Sequence, residues 1–335
     1  MARIAVIGAG AWGTALAHLR ATAGDEVWLW AHEPEVVAQI NDTHVNETFL
    51  PDVPLPENLR ASNDFGEVLG GAELVLLVCP SHVMRPVMKR AAEHLPREVP
   101  IVSAAKGIEN ASLMTMSEVL EEVLPLAYHP MLAYLSGPSF AKELVQKMPT
   151  AVCVAARFER VAAQAQQMLA SSYMRLYTST DVSGVELGGS LKNVMAIAAG
   201  AASGLGFGYN TTTALITRGL AEMSRLGVRR GANPLTLSGL SGMGDLVLTC
   251  MGGLSRNRMV GEKLGQGMSL DEITRDMKQV AEGVKTARSV YELAQREEVE
   301  MPICTVVYQM LYEGLPAADA VGALMSRRLK KEIQH

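Results

Sequence analysis

The sequence predicts an α/β chain of two domains: a mostly parallel sheet layered with helices over residues 1–182, then an all-helical domain over residues 183–335. Three observations predict it. A β-branched run at residues 3–7 passes through a glycine-rich turn into a helix and then a second apolar run, the opening unit of a parallel sheet. Apolar runs then alternate with helical stretches as far as about Asp181. Beyond that point the strand signal vanishes and only helical periodicity remains. A length of 335 residues suits two domains, and 48% hydrophobic against 19% charged residues leaves ample material for two cores.

Taken in order, residues 3–7 alternate little and read as a strand buried on both faces. Gly8-Ala9-Gly10-Ala11-Trp12-Gly13 follows, leading a helix over residues 11–23 and a strand over 26–30. In this context a G-x-G-x-x-G is the dinucleotide fingerprint of a Rossmann-type unit: Gly8 makes the tight turn, Gly10 admits a pyrophosphate, and Gly13 lets helix pack on strand. Free N–H groups at the helix start suit phosphate. Residues 41–62 are dense in proline and read as an irregular insertion. Strands are expected at 73–79, 99–104, 131–136, 150–155 and 174–177, with a helix from Phe140. The helical part divides into the stretch around Lys192, then 213–226, a short piece near Asp245, 257–264, 270–277, 283–296, 303–312 and 316–324.

Composition excludes several classes. A net charge of −5 argues against broad nucleic-acid affinity. Cys79, Cys153, Cys250 and Cys304 are far apart, which fits a reducing cytoplasm, and neither they nor the seven histidines have metal-ligand spacing. The N-terminal apolar run resembles a signal peptide, but three glycines interrupt it and its helical pattern continues too far. Residues 187–207 hold one charge, Lys192, and Gly-x-x-x-Gly spacings that also occur in membrane spans. The flanks lack an aromatic belt, so a buried helix is expected instead.

A lysine on a buried helix needs a partner or a task. Lys192 has Gly188, Gly189 and Ala196 a turn away, a face with room for a small molecule. Ligands of parallel sheets sit at the carboxyl ends of the strands, where the sequence puts His82, Lys106 and the 137–139 turn. Asp245 leaves a glycine-rich turn with Thr249 one turn later, and Ser255-Arg256-Asn257 starts a helix beside an arginine, an arrangement suited to an anion. Taken singly, Ser139, Asp245 and Ser255 read as helix caps.

Together the motifs GAGAWGTALA, LPDVPLP, CPSH, AAKGIE, LSGPSFAKE, GGSLKNVMAIAAG, TRGLAEMSRLG, GMGDLVLTC, SRNR and AEG resemble the bacterial-type NAD(P)-dependent glycerol-3-phosphate dehydrogenases, over residues 3–328. The resemblance implies reversible reduction of dihydroxyacetone phosphate to sn-glycerol 3-phosphate, feeding phospholipid synthesis. It implies Lys192 as general acid/base, with Asp245 orienting it. Lys106, Gly137, Ser139, Asn193, Asp245, Thr249, Ser255, Arg256 and Asn257 would surround the substrate. Gly8, Gly10, Ala11, Trp12, Gly13, His32, Lys106, Ala141, Arg256, Val280 and Glu282 would hold NADP(H) or NAD(H). Ala11 stands where many members have Ser, and His32 where Arg is common. No metal, nucleic acid or membrane span is expected; a homodimer is compatible with the sequence. Two other readings stay open: a 3-hydroxy-acid dehydrogenase of the same two-domain type, and a non-catalytic NAD(P)H sensor. Strand 26–30 is followed by Ala31 rather than an acid, which predicts good use of NADPH with NADH tolerated.

Overall fold

The computed structural model describes residues 1–275, 277, 281–329 and 331–332. The first part of the chain runs β1 (Arg3–Ile7), α1 (Ala11–Thr22), β2 (Glu26–Trp30), α2 (Pro34–Ala38), β3 (Val45–Asn46), β4 (Leu50–Pro54), β5 (Leu59–Ser62), α3 (Phe65–Leu69) and β6 (Leu74–Leu77). It continues through α4 (Ser81–Ala91), β7 (Ile101–Ser103), α5 (Met116–Val123), β8 (Leu132–Ser136), α6 (Ala141–Val145), β9 (Thr150–Ala156), α7 (Glu159–Leu169) and β10 (Met174–Ser179). Among the described residues one sheet has the strand order β10-β9-β8-β7-β6-β1-β2-β5. Every pairing in it is parallel except β8 with β9.

The run at residues 3–7 is apolar throughout because both faces of β1 are covered. Ile4 and Val6 enter one core, while Ala5 and Ile7 enter a second on the opposite face. β6 divides in the same way, Leu74 and Leu76 against Val75 and Leu77. Side chains alternate across a strand, so a strand with two buried faces shows no polar alternation.

The segment 41–62 is more regular than expected. β3 and β4 pair as a small antiparallel hairpin, and β5 extends the main sheet beside β2. Three prolines, at 51, 54 and 56, hid β5. They end before it starts, and its Leu59 and Ala61 are buried. The other strands shift from expectation by up to two residues at either end.

The second part begins with α8 (Val182–Gly204), started by the Asp181 carboxylate accepting from the Gly184 N–H at 2.9 Å. α9 (Tyr209–Arg229), α10 (Pro234–Leu237), α11 (Asp245–Met251), α12 (Arg256–Gly265), α13 (Leu270–Arg275), α14 (Glu282–Arg296), α15 (Pro302–Tyr312) and α16 (Ala317–Met325) follow. The helix expected to reach residue 277 ends at Arg275, and residue 276 lies outside the described residues.

The small residues of α8 serve close approach of the protein to itself. A Cβ on Gly200 would fall 2.0 Å from the Arg258 carbonyl oxygen, and one on Gly261 would fall 2.0 Å from that of Ile197. α8 and α12 therefore cross with their backbones nearly touching, which accounts for the Gly-x-x-x-Gly spacing without lipid. Among the described residues, no single helix is long and apolar enough to cross a membrane. Gly188 and Gly189 behave alike: a Cβ at either would meet Ser241 or Ser136 at 2.4 Å. The expected room for a ligand beside Lys192 on that face is filled by protein.

Two contacts fasten α8 and its neighbours to the sheet. Buried Glu186 accepts from the Ser117 N–H at the start of α5, at 2.9 Å. Ile108, from the loop after β7, enters the helical core, and its carbonyl accepts from Ser289 on α14 at 3.2 Å. Lys106 lies in that loop, two residues before Ile108.

Candidate active site

A cleft of about 570 Å³ runs between the carboxyl ends of the strands and the helices α8, α11, α12 and α14. On the sheet side, Ala11 and Trp12 line it from the start of α1. The turn beneath them depends on glycine. Gly8 has φ +119°, and a Cβ there would meet the Cys79 nitrogen at 2.7 Å; a Cβ on Gly13 would sit 1.9 Å from the Gly8 carbonyl. Gly10 differs, because a Cβ on it would meet nothing within 4 Å. Nothing among the described residues fills that space, and Gly10 is the N-cap of α1, which has no side-chain cap and no acid in its first turn. This is the cradle a dinucleotide pyrophosphate requires, so the residues present fit the nicotinamide cofactor.

On the helical side the centre is a buried charge cluster. Asp245, 1% exposed, receives Lys192 Nζ on Oδ1 at 2.8 Å and Lys106 Nζ on Oδ2 at 2.6 Å. Lys192 Nζ also donates to Thr249 Oγ1 at 2.7 Å, and that hydroxyl donates to the Asp245 carbonyl at 2.6 Å. Lys106 donates further to the Gly137 carbonyl at 3.1 Å. Burial lowers the Lys192 ammonium to about 8; the Asp245 carboxylate opposes the shift and the Lys106 charge reinforces it. Two of the three N–H groups of Lys192 are thus held by α11. The side chain lines the cleft, and among the described residues the third N–H has no partner, which leaves it for a ligand oxygen.

The three residues that singly read as caps divide. Asp245 is the first residue of α11, after Gly244, and spends its carboxylate on lysines. Ser139 precedes the actual cap of α6, Phe140, and lines the cleft with its hydroxyl donated to Gly137. Ser255 does cap α12, accepting from the Arg258 N–H at 3.2 Å, and lines the cleft as well. Arg256 follows it into the cleft. Asn193 and Asn257 hold one another at 2.9 Å, and Asn257 also accepts from the Gly283 N–H, so this pair ties α8, α12 and α14 together at the cleft wall.

Ala141 and Glu282 also line the cleft. Burial pushes the Glu282 carboxyl up, against the pull of Arg256, Lys106 and Lys192. Val280 lies outside the described residues. His82, at the start of α4, is exposed and does not line the cleft. Phe49, Lys142 and Leu254 do, and the sequence reading gave none of them a role, although Lys142 lies in the motif LSGPSFAKE. With Lys106, Lys142, Lys192 and Arg256 against Glu282 and Asp245, the surroundings favour an anion.

At the end of β2, Ala31 is fully buried and belongs to the core, whereas His32 is exposed beside Trp30. Glu33 caps α2 with Pro34 as its first residue, so it belongs to that helix start. Of residues 31 and 32, His32 alone therefore has an exposed side chain at this strand end. A His32→Glu variant is expected to lower kcat/KM for NADPH about tenfold relative to NADH, since it replaces a donor to the 2′-phosphate with a like charge. Steady-state kinetics with both cofactors check this. An unchanged ratio would remove this strand end from cofactor choice.

This is the working layout of a nicotinamide-dependent dehydrogenase: one domain to hold the dinucleotide, the other to present a proton donor to whatever the cofactor reduces. The family model described as "NAD-dependent glycerol-3-phosphate dehydrogenase N-terminus" matches residues 3–162, and its C-terminus counterpart matches 181–322. The chain belongs to the NAD-dependent glycerol-3-phosphate dehydrogenase family. It is 57% identical to the glycerol-3-phosphate dehydrogenase (NAD(P)+) of Myxococcus xanthus over 99% of each chain. Identity to the enzyme of the same name from Geobacter sp. strain M21 is 56%, over 98% of each. The crystal structure of glycerol-3-phosphate dehydrogenase from Coxiella burnetii superposes with a TM-score of 0.92 at 38% identity, covering 97% of this chain and 99% of that one.

Proposed function

We propose that this protein catalyses the reversible reduction of dihydroxyacetone phosphate to sn-glycerol 3-phosphate with NAD(P)H, supplying glycerophospholipid synthesis. The observation that carries the chemistry is the Lys192–Asp245–Lys106 cluster opening on the same cleft as the glycine turn. Bound there, the nicotinamide supplies the hydride. Lys192 donates the proton to the carbonyl oxygen and meets the charge growing on it. Thr249 and Asp245 hold the amine in register by their two hydrogen bonds. In the oxidative direction the neutral amine takes the proton back.

Ser255, Arg256 and Asn257 at the start of α12 form the phosphate end of the substrate site, because free N–H groups and a guanidinium meet there. Lys106, Gly137, Ser139, Asn193 and Thr249 surround the rest. Gly8, Gly10, Gly13, Ala11, Trp12, His32, Ala141 and Glu282 serve the cofactor, with Lys106 and Arg256 shared. The dinucleotide domain spans 1–182 and the catalytic domain 183–335. Four free cysteines, three of them buried, support a cytoplasmic location. A homodimer is compatible with the sequence, and light scattering checks it.

The test is NADPH oxidation with dihydroxyacetone phosphate, unphosphorylated dihydroxyacetone and a panel of keto acids, for the wild type and Arg256→Ala. The phosphorylated ketone is the expected substrate. Arg256→Ala is expected to cut its kcat/KM about ten- to a hundredfold, the range for losing a charged hydrogen bond. At saturating NADPH, which offsets the loss of its cofactor contact, it should change dihydroxyacetone by no more than about threefold. Turnover of a keto acid in place of dihydroxyacetone phosphate would favour the hydroxy-acid reading. Equal loss on both ketones would move Arg256 to the cofactor alone.

A further inference from the structure

The hairpin of β3 and β4 carries a polar side chain that the chemistry above does not use. Asn46 is fully buried, yet every N–H of its amide has a partner. Nδ2 donates to the Ala9 carbonyl at 2.8 Å and to Thr14 Oγ1 at 2.8 Å. Oδ1 accepts from the Phe49 N–H at 3.0 Å. Thr14, also fully buried, donates its own hydroxyl proton to the same Ala9 carbonyl at 3.1 Å. The orientation of the amide follows from these partners, since Ala9 O can only accept and Phe49 N–H can only donate.

Ala9 is the middle residue of the glycine turn. A trans peptide is planar with its C=O and N–H on opposite sides. Holding the Ala9 carbonyl on the Asn46 side therefore holds the Gly10 N–H on the other. Gly10 is the position where a side chain would meet only open space. The same amide fixes the backbone of Phe49, whose side chain lines the cleft. Asparagine suits the position because it brings two donors and an acceptor on one short stem. Aspartate would set an acceptor against a carbonyl, and glutamine is one methylene too long for a site with no spare space.

We propose that Asn46, with Thr14, is a positioning residue for the dinucleotide: it sets the peptide plane of the glycine turn and the Phe49 wall of the cleft. This rests on the reading that the dinucleotide lies on that turn. Loss of the contact then weakens cofactor binding and leaves proton transfer, which occurs on α8 and α11, unchanged.

The experiment uses the full-length enzyme and the variants Asn46→Ser, Thr14→Val and Thr14→Ser, with KM measured separately for NADPH and dihydroxyacetone phosphate. NADPH affinity is also read directly by quenching of protein fluorescence. Asn46→Ser and Thr14→Val are expected to raise the NADPH KM and Kd about tenfold, the order for one buried hydrogen bond. The dihydroxyacetone phosphate KM and kcat should stay within about twofold. Thr14→Ser, which keeps the hydroxyl, should match the wild type. If Asn46→Ser fails to fold, the Thr14 pair decides alone. An unchanged NADPH KM, an equal rise in both KM values, or a fall in kcat at saturating NADPH would overturn the proposal. Failure of the wild type itself to bind NADPH would instead overturn the cofactor reading on which it rests.

Discussion

Lys192→Ala is expected to lower kcat for ketone reduction by about two orders of magnitude or more, while the Kd for NADPH stays within about threefold. In the proposed reaction the amine meets the ketone oxygen, whereas the glycine turn proposed for the dinucleotide lies in the sheet part of the chain, before α1. The effect carries a pH signature. Burial has brought the Lys192 ammonium down to about 8, and reduction needs its protonated form. In the wild type, kcat/KM for reduction is therefore flat below about pH 8 and falls as pH rises through it. Oxidation of glycerol 3-phosphate needs the neutral amine and rises over the same range. Both limbs should vanish in Lys192→Ala. A variant that keeps turnover within severalfold of the wild type, or keeps the limb, would show that another group moves the proton.

The second large effect is expected from Asp245→Asn. The amide has the shape of the carboxylate but no charge, and two ammonium groups depend on that charge. Breaking a buried pair from one side typically costs about 3–5 kcal/mol because the partner stays behind uncompensated. Here the site avoids much of that cost by letting a lysine lose its proton. Asp245 raises the Lys192 value and Lys106 lowers it. Removing the carboxylate thus moves Lys192 further below about 8. The reductive limb should shift to lower pH, and activity at pH 8 should fall about a hundredfold, with partial recovery on acidification. Profiles of kcat/KM against pH for both proteins check this. A loss of activity with the limb unmoved would mean that Asp245 only shapes the pocket.

Much of this arrangement was legible in the chain. The dinucleotide turn could be read because its requirements are local: a positive φ at Gly8, no side chain above Gly10 and close packing at Gly13 are met by residues within one short loop. The parallel sheet could be read because strands buried on both faces stay apolar at every position. Lys192 stood out because one charge in a long apolar helix demands an explanation. The segment 41–62 misled because its prolines precede β5 rather than interrupt it. The small face around Lys192 misled differently: a glycine that admits a ligand and one that admits a neighbouring backbone are the same letter.

What the sequence by itself determined is therefore whatever depends on near neighbours: the strand–turn–helix opening, the order of motifs, and the division into a sheet part and a helical part. The tertiary structure alone decided which groups meet. Lys106 reaches Asp245 across 139 residues, and Lys192 reaches Thr249 across 57. The lowered proton affinity of Lys192 is a property of that burial and those charges together, and of no residue singly. The grip of Asn46 on the Ala9 carbonyl, 37 residues away, is of the same kind. Propensity and periodicity act over a few residues and can be read along the chain, whereas Coulomb energy and hydrogen bonding act over distance in space, which only the fold sets.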